Sequence, residues 1–154
     1  MSEEVTLDSS VLVSALVKED EFRPVARRIM ERIFSGHYHS TTSAGVFVEV
    51  CGAISRRAGA DMAIVSRNQL LKWENMGLTT YYELTGKRRD EATELAAKLK
   101  MRGMDAMVVQ VAKEKKGTLI TFDEEMAANA RGAVEVLTSK DFMHASNSNS
   151  AKTE

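Results

Sequence analysis

Short runs of apolar and β-branched residues alternate along the chain with longer stretches in which apolar residues recur every three or four positions. Residues 5–7 (VTL), 39–42 (HSTT), 78–84 (LTTYYEL), 119–122 (LITF) and 134–137 (VEVL) read as strands. The 119–122 run is nearly continuous in apolar residues, as a strand covered on both faces requires. Between the strands, VLVSALV at 11–17 reads as a helix. A second helix starts near Pro24 and carries Val25, Ile29 and Ile33 on one stripe. A third, capped by Thr41, Thr42 or Ser43, runs to about Ala58 with Val46, Val50, Ala53 and Ile54 inward.

The second half continues in the same way. Residues 60–76 form a helix whose apolar face comprises Met62, Val65, Gln69, Leu70 and Trp73. Residues 85–89 (TGKRR) read as a basic turn, and 90–100 as an amphipathic helix built on Ala92, Leu95, Ala96 and Leu99. A further helix opens at or just after Asp105, which is placed as its N-cap, with Val108, Val109 and Ala112 inward. The last helix starts at Glu124. Such alternation predicts an α/β fold, a central, mostly parallel sheet flanked by helices.

At 154 residues with 44% hydrophobic and 28% charged residues, the chain fits one globular domain, placed at 1–143. The polar segment 144–154 (HASNSNSAKTE) is expected to be a disordered tail. No apolar run has the length of a membrane span, and the acidic start MSEEVTLDSS does not resemble a signal peptide. The single cysteine, Cys51, leaves no internal disulfide and no cysteine-based zinc site, and fits a reducing cytoplasm. A net charge of −1 gives no global basic field for nucleic acid, while leaving room for a local basic rim.

Four acids stand in comparable settings. Asp8 ends the first strand, where ligands sit in open α/β sheets, although it could equally cap the next helix. Glu49 falls on or beside the apolar stripe of its helix, a position that calls for a basic partner or a metal. Asp105 opens an inward-facing helix and Asp123 ends the 119–122 strand. Carboxylates packed together repel, and a hard divalent cation relieves that repulsion. Oxygen donors without a usable Cys/His set suit Mg²⁺ or Mn²⁺ better than zinc. The pair His37 and His39 has no third ligand in view.

These pieces resemble the PIN-domain ribonucleases and, among them, the VapC-type toxins. The matching stretches are LDSSVLVSAL, VFVEVCGAISRR, GMDAMVVQVAKEKKG and LITFDEEM, within about residues 5–137. The resemblance implies a PIN-like three-layer α/β/α fold and a Mg²⁺- or Mn²⁺-dependent endoribonuclease, often a homodimer, with the toxin of a toxin–antitoxin pair as one role the family offers. Asp8, Glu49 and Asp105 match the three core acidic positions of the family, and Asp123 the fourth, more variable one. Ser10 and Thr121 match polar positions that orient the acids. Ser9 stands where the family often has Thr and keeps the hydroxyl; Glu124 could share the role of Asp123.

Candidates for a phosphate-binding rim are Arg56, Arg57, Lys87, Arg88, Lys100 and Arg102. RNA is the expected substrate and an antitoxin protein a possible partner. The alternative is a non-catalytic PIN-like module that binds RNA or protein. A receiver-like phosphoacceptor fits less well, since Ser9 and Ser10 follow Asp8 where paired acids are needed. A haloacid-dehalogenase-type phosphatase lacks its DxDxT pattern at Asp8.

Overall fold

The computed structural model describes residues 2–143, so the tail expected at 144–154 lies outside the described residues. Five strands form one sheet: β1 (Glu3–Leu7), β2 (Tyr38–Ser43), β3 (Thr79–Tyr82), β4 (Thr118–Ile120) and β5 (Val136–Leu137). The helices are α1 (Ser9–Leu16), α2 (Arg23–Phe34), α3 (Ala44–Ala58), α4 (Ala60–Asn75), α5 (Gly86–Leu99), α6 (Gly103–Glu114) and α7 (Glu124–Ala130). Residues 139–143 are again helical.

Every strand pair is parallel, in the order β3-β2-β1-β4-β5. The chain therefore builds outward from β1 on one side and then returns to build on the other. The reversal falls between β1 and β4, and a crevice opens at their carboxyl ends. With helices covering both faces, the architecture is the three-layer α/β/α expected from the sequence. Burial on both faces explains why Val5, Thr6 and Leu7 are all at most 1% exposed, with no polar-out alternation.

One core joins the layers. Leu7, Leu119 and Ile120 from the sheet, Val46, Val50 and Ile54 from α3, and Val108 and Val109 from α6 are all essentially inaccessible. Truncating a residue such as Ile120 to Ala is expected to cost about 2–5 kcal/mol.

Three readings of the sequence are corrected. The basic turn at 85–89 is the first turn of α5: Thr85 caps it by accepting from the Arg88 amide at 3.3 Å. Glycine and a run of cations suggested a loop, but capping begins the helix at Gly86. The buried face of α4 is Ala63, Ser66, Leu70 and Trp73, while Met62 and Val65 are 41% and 61% exposed. Small residues let α4 lie close to α3, and that packing overrides the simple apolar count. Asp105 is not an N-cap; Arg102 holds that place, and Asp105 lies within the first turn of α6. Of the third helix's inward set, Ala53 is half-buried while Val46, Val50 and Ile54 are buried.

Candidate acidic metal centre

Asp8 directly follows β1, and its backbone N–H still donates to the Ile120 carbonyl at 3.0 Å, so it continues the β1–β4 pairing into the crevice. Its side chain caps nothing: no side-chain bond closes the start of α1. Instead one carboxylate oxygen, Oδ2, accepts from Ser10 and from Thr121, each at 2.8 Å. Only 4% exposed, Asp8 is thus a buried carboxylate held by two hydroxyls.

Thr121 and Ser10 knit the two strand ends further. The Asp123 N–H donates to the Thr121 hydroxyl at 3.1 Å, and the Phe122 N–H to the Ser10 hydroxyl at 3.0 Å. These bonds fix the β4–α7 connection against β1. Asp123 itself caps α7, its Oδ1 accepting from the Met126 N–H at 3.0 Å. Its other oxygen has no such duty. Glu124 instead reaches Lys140, at 3.2 Å, on the exposed surface.

Glu49 is half-buried on α3 and accepts a short hydrogen bond from the Ser9 hydroxyl. The sequence marks Ser9 as a retained hydroxyl but assigns it no partner; the structure gives it Glu49. The signal was present, a hydroxyl directly after Asp8, but its partner 40 residues away could not be read. Asp105 enters from α6. Burial pushes its carboxyl up to about 6, and the charges of Asp8, Asp123 and Glu49 push the same way, with Arg102 partly opposing. Asp105 therefore lies within reach of the charges of the other three acids named from the sequence.

The donor set fits a hard divalent cation: clustered carboxylates, and no histidine or cysteine among the four. Among the described residues, however, no three acidic, histidine or cysteine side chains form a ready-made ligating group. Glu49 is bonded to Ser9, and one oxygen of Asp123 to the start of its own helix. His37 and His39 contribute nothing here. His37 bonds Ser35 and His39 bonds Glu4 near the start of β1, at the opposite end of the strand from Asp8.

The basic candidates divide into two groups. Arg57 pairs with Asp20 at 2.8 Å. Arg88 forks onto Glu114, donates to the Glu83 carbonyl and lies over the Tyr82 ring. Arg56, Lys87, Lys100 and Arg102 are exposed.

A parallel sheet flanked by helices, with acids at the carboxyl ends of β1 and β4 beside its switch point, defines an open-sheet α/β protein. Residues 5–132 match the PIN domain family model, and the chain belongs to the PIN domain family. Its fold is similar to the VapC20 toxin of Mycobacterium tuberculosis, described as sarcin–ricin loop cleaving, at 20% identity and TM-score 0.69, over 86% of this chain and 98% of that one. It is similar to VapBC2 from Rickettsia felis, solved with a promoter DNA fragment, at 14% identity and TM-score 0.66, over 88% and 98%. It is also similar to a toxin–antitoxin complex from Klebsiella pneumoniae at 16% identity and TM-score 0.62, over 88% and 97%. No curated protein sequence matches the chain.

Proposed function

We propose that this protein is a Mg²⁺- or Mn²⁺-dependent endoribonuclease whose centre is Asp8, Glu49, Asp105 and Asp123. The observation that carries the reading is the placement of Asp8 and Asp123 at the carboxyl ends of the paired strands β1 and β4, with Asp105 of α6 near enough to feel the charges of both and of Glu49 on α3. Such a cluster is costly to ionise unless a cation joins it.

Asp8, Glu49 and Asp105 would hold the metal, with Asp123 completing the set. When bound, a divalent ion supplies Lewis-acid stabilisation of a phosphodiester and lowers the pKa of water. The chain's own residues supply the preorganisation. Ser10 and Thr121 fix one oxygen of Asp8 and leave the other directed by that grip. Ser9 orients Glu49, and Asp123 keeps one oxygen outside its capping bond. Arg56, Lys87, Lys100 and Arg102 are exposed and able to meet phosphates.

The toxin–antitoxin neighbours support a second element of the reading: the protein is a toxin inhibited by a cognate antitoxin. RNA as its target, the cytoplasm as its place and a homodimer as its state belong to the same proposal. Among the described residues no helix is long and apolar enough to cross a membrane. The alternative is a non-catalytic PIN-like module that binds RNA or protein through the same fold. Cleavage of structured RNA with Mg²⁺, Mn²⁺ or EDTA, beside Asp8→Asn, decides between them. Metal-dependent cleavage lost in the folded variant is expected. Cleavage retained by Asp8→Asn sinks the site assignment, and no cleavage by folded wild-type protein favours the binding module.

A further inference from the structure

A second hollow, of about 290 Å³, opens beside α3 and the end of β3 and is lined by Ala44, Phe47, Glu74, Tyr81 and Glu83. It is separate from the acidic centre. Glu49 follows Phe47 by two residues, which turns it about 200° round the helix. The floor is aromatic: Phe47 and Tyr81 meet edge to face, 5.4 Å between centroids at 84°. The rim is anionic. Glu74 and Glu83 are exposed, and among the described residues neither has an ion-pair partner.

Two further features point to an occupant. The Tyr81 hydroxyl is buried, and among the described residues it has no hydrogen-bond partner. This leaves the ring of Tyr81, beside Phe47, as the part that lines the hollow. Burial, then the charge of Glu74 and then Cys51, raises the Tyr81 phenol above its ordinary range, and the Glu74 field favours positive charge there. Next to the hollow, Val48 shares the helix face of Ala44 and Phe47 and is 72% exposed. Val48 is the most exposed large apolar residue among the described residues, and it flanks the hollow.

We propose that this hollow receives an arginine or lysine side chain of a protein partner, with an apolar residue of the same segment resting on Val48. Aromatic faces and two carboxylates are the chemistry that recognises a guanidinium or ammonium. RNA is disfavoured, because both rim charges repel phosphate. A bare metal ion is disfavoured too, since two exposed carboxylates beside phenyl rings offer few oxygen ligands. The site does not depend on the nuclease reading, and it holds for a catalytic or a non-catalytic protein. A single side chain in so open a site binds weakly, at about the millimolar level, and gains affinity only within a longer segment.

The test uses the full, isotopically labelled chain and N-acetyl-valyl-arginine amide, with the neutral citrulline dipeptide as control. Saturable NMR shifts at Phe47, Val48, Tyr81 and Glu83 are expected with arginine and not with citrulline. The double variant Glu74→Gln, Glu83→Gln should weaken binding roughly tenfold or more while keeping the melting temperature. If that variant does not fold, each single Gln variant takes its place. Equal response to citrulline, shifts confined to other residues, or unchanged binding in the Gln variants overturns the proposal. So does a short single-stranded RNA that moves the same signals. Cleavage assays are not involved, so failure here and failure of the nuclease reading are distinguishable.

Discussion

The Thr121 hydroxyl donates to the Asp8 carboxylate at 2.8 Å, joining residues 113 positions apart. The same oxygen accepts from the Asp123 amide, so one fully buried side chain couples three parts of the crevice. Thr121→Val keeps the shape and removes both bonds. It is expected to cost about 1–3 kcal/mol, because a buried N–H and a carboxylate lose a partner. RNA cleavage should fall roughly 10- to 100-fold through kcat, with KM for RNA little changed, since Asp8 keeps only Ser10 of the two hydroxyls that hold it. Thr121→Ser should recover much of the rate. An unaltered kcat in Thr121→Val would show that the hydroxyl serves the fold alone.

Asp105 carries a stability cost with a definite pH window. Its folded value of about 6 lies above the ordinary 3.8, through burial and then Asp8, Asp123 and Glu49. The folded state therefore holds the proton more tightly than the unfolded one. The stability this contributes is complete below about 3.8 and is lost as pH rises through about 6. In EDTA, Asp105→Asn should melt higher than wild type at pH 7.5, and the gap should close toward pH 4. Mg²⁺ or Mn²⁺ should raise the wild-type melting temperature at pH 7.5 and do little for Asp105→Asn. A gap that widens on acidification would contradict the assignment.

The parts of this arrangement that could be read from sequence are those set by local rules. Asp8 and Asp123 follow short buried strands, and a strand end in a parallel sheet has only one edge to occupy. Pro24 near the start of α2 and the apolar spacing of α3 were equally local. The misreadings came where context wins. Asp105 reads as the N-cap of its helix because the apolar periodicity starts only at Val108, whereas α6 already begins at Gly103 and takes Asp105 into its first turn. The Ser9–Glu49 bond and the commitment of Arg57 and Arg88 to Asp20 and Glu114 join distant segments, and no periodicity encodes them.

That commitment separates the basic candidates experimentally. Arg88→Gln removes a forked ion pair and the cation over Tyr82, and is expected to destabilise by about 1–3 kcal/mol while leaving RNA affinity nearly intact. Arg102→Gln, on an exposed side chain beside Asp105, should do the reverse. Affinity for RNA should drop, and the slope of log affinity against log salt should flatten by about 0.7, one single-strand phosphate contact. Denaturant titrations and filter binding at several salt concentrations read both effects. Loss of RNA affinity in Arg88→Gln with normal stability would return Arg88 to the rim.

Asp20 predicts a separate acid sensitivity. Burial alone would raise its carboxyl, but hydrogen bonds from Arg57, Ser14 and the Phe22 amide outweigh that and hold it below the ordinary value. Its contribution is present above about 3.8 and disappears as pH falls through the lower folded value. Asp20→Asn should therefore lower stability at pH 7 and converge with wild type in strong acid, opposite in sense to Asp105→Asn. Circular dichroism melts across pH 2–7 give the comparison.

Two glycines show how backbone and side-chain obstacles differ. A Cβ at Gly117 would lie 3.0 Å from the Glu4 carbonyl oxygen, on a strand hydrogen-bonded on both sides and unable to retreat. Gly117→Ala is expected to destabilise by about 1–3 kcal/mol. A Cβ at Gly45 would lie 2.8 Å from the methyl end of Met104, which can swing away. Gly45→Ala should change stability by less than about 1 kcal/mol. Met104, however, directly precedes Asp105 in the first turn of α6. Displacing it should disturb the acidic centre and lower RNA cleavage several-fold, by about half an order of magnitude or more. Chemical denaturation and single-turnover cleavage of the two variants should thus give opposite signatures. If Gly45→Ala cleaves RNA at the wild-type rate, α6 holds Asp105 independently of its contact with α3.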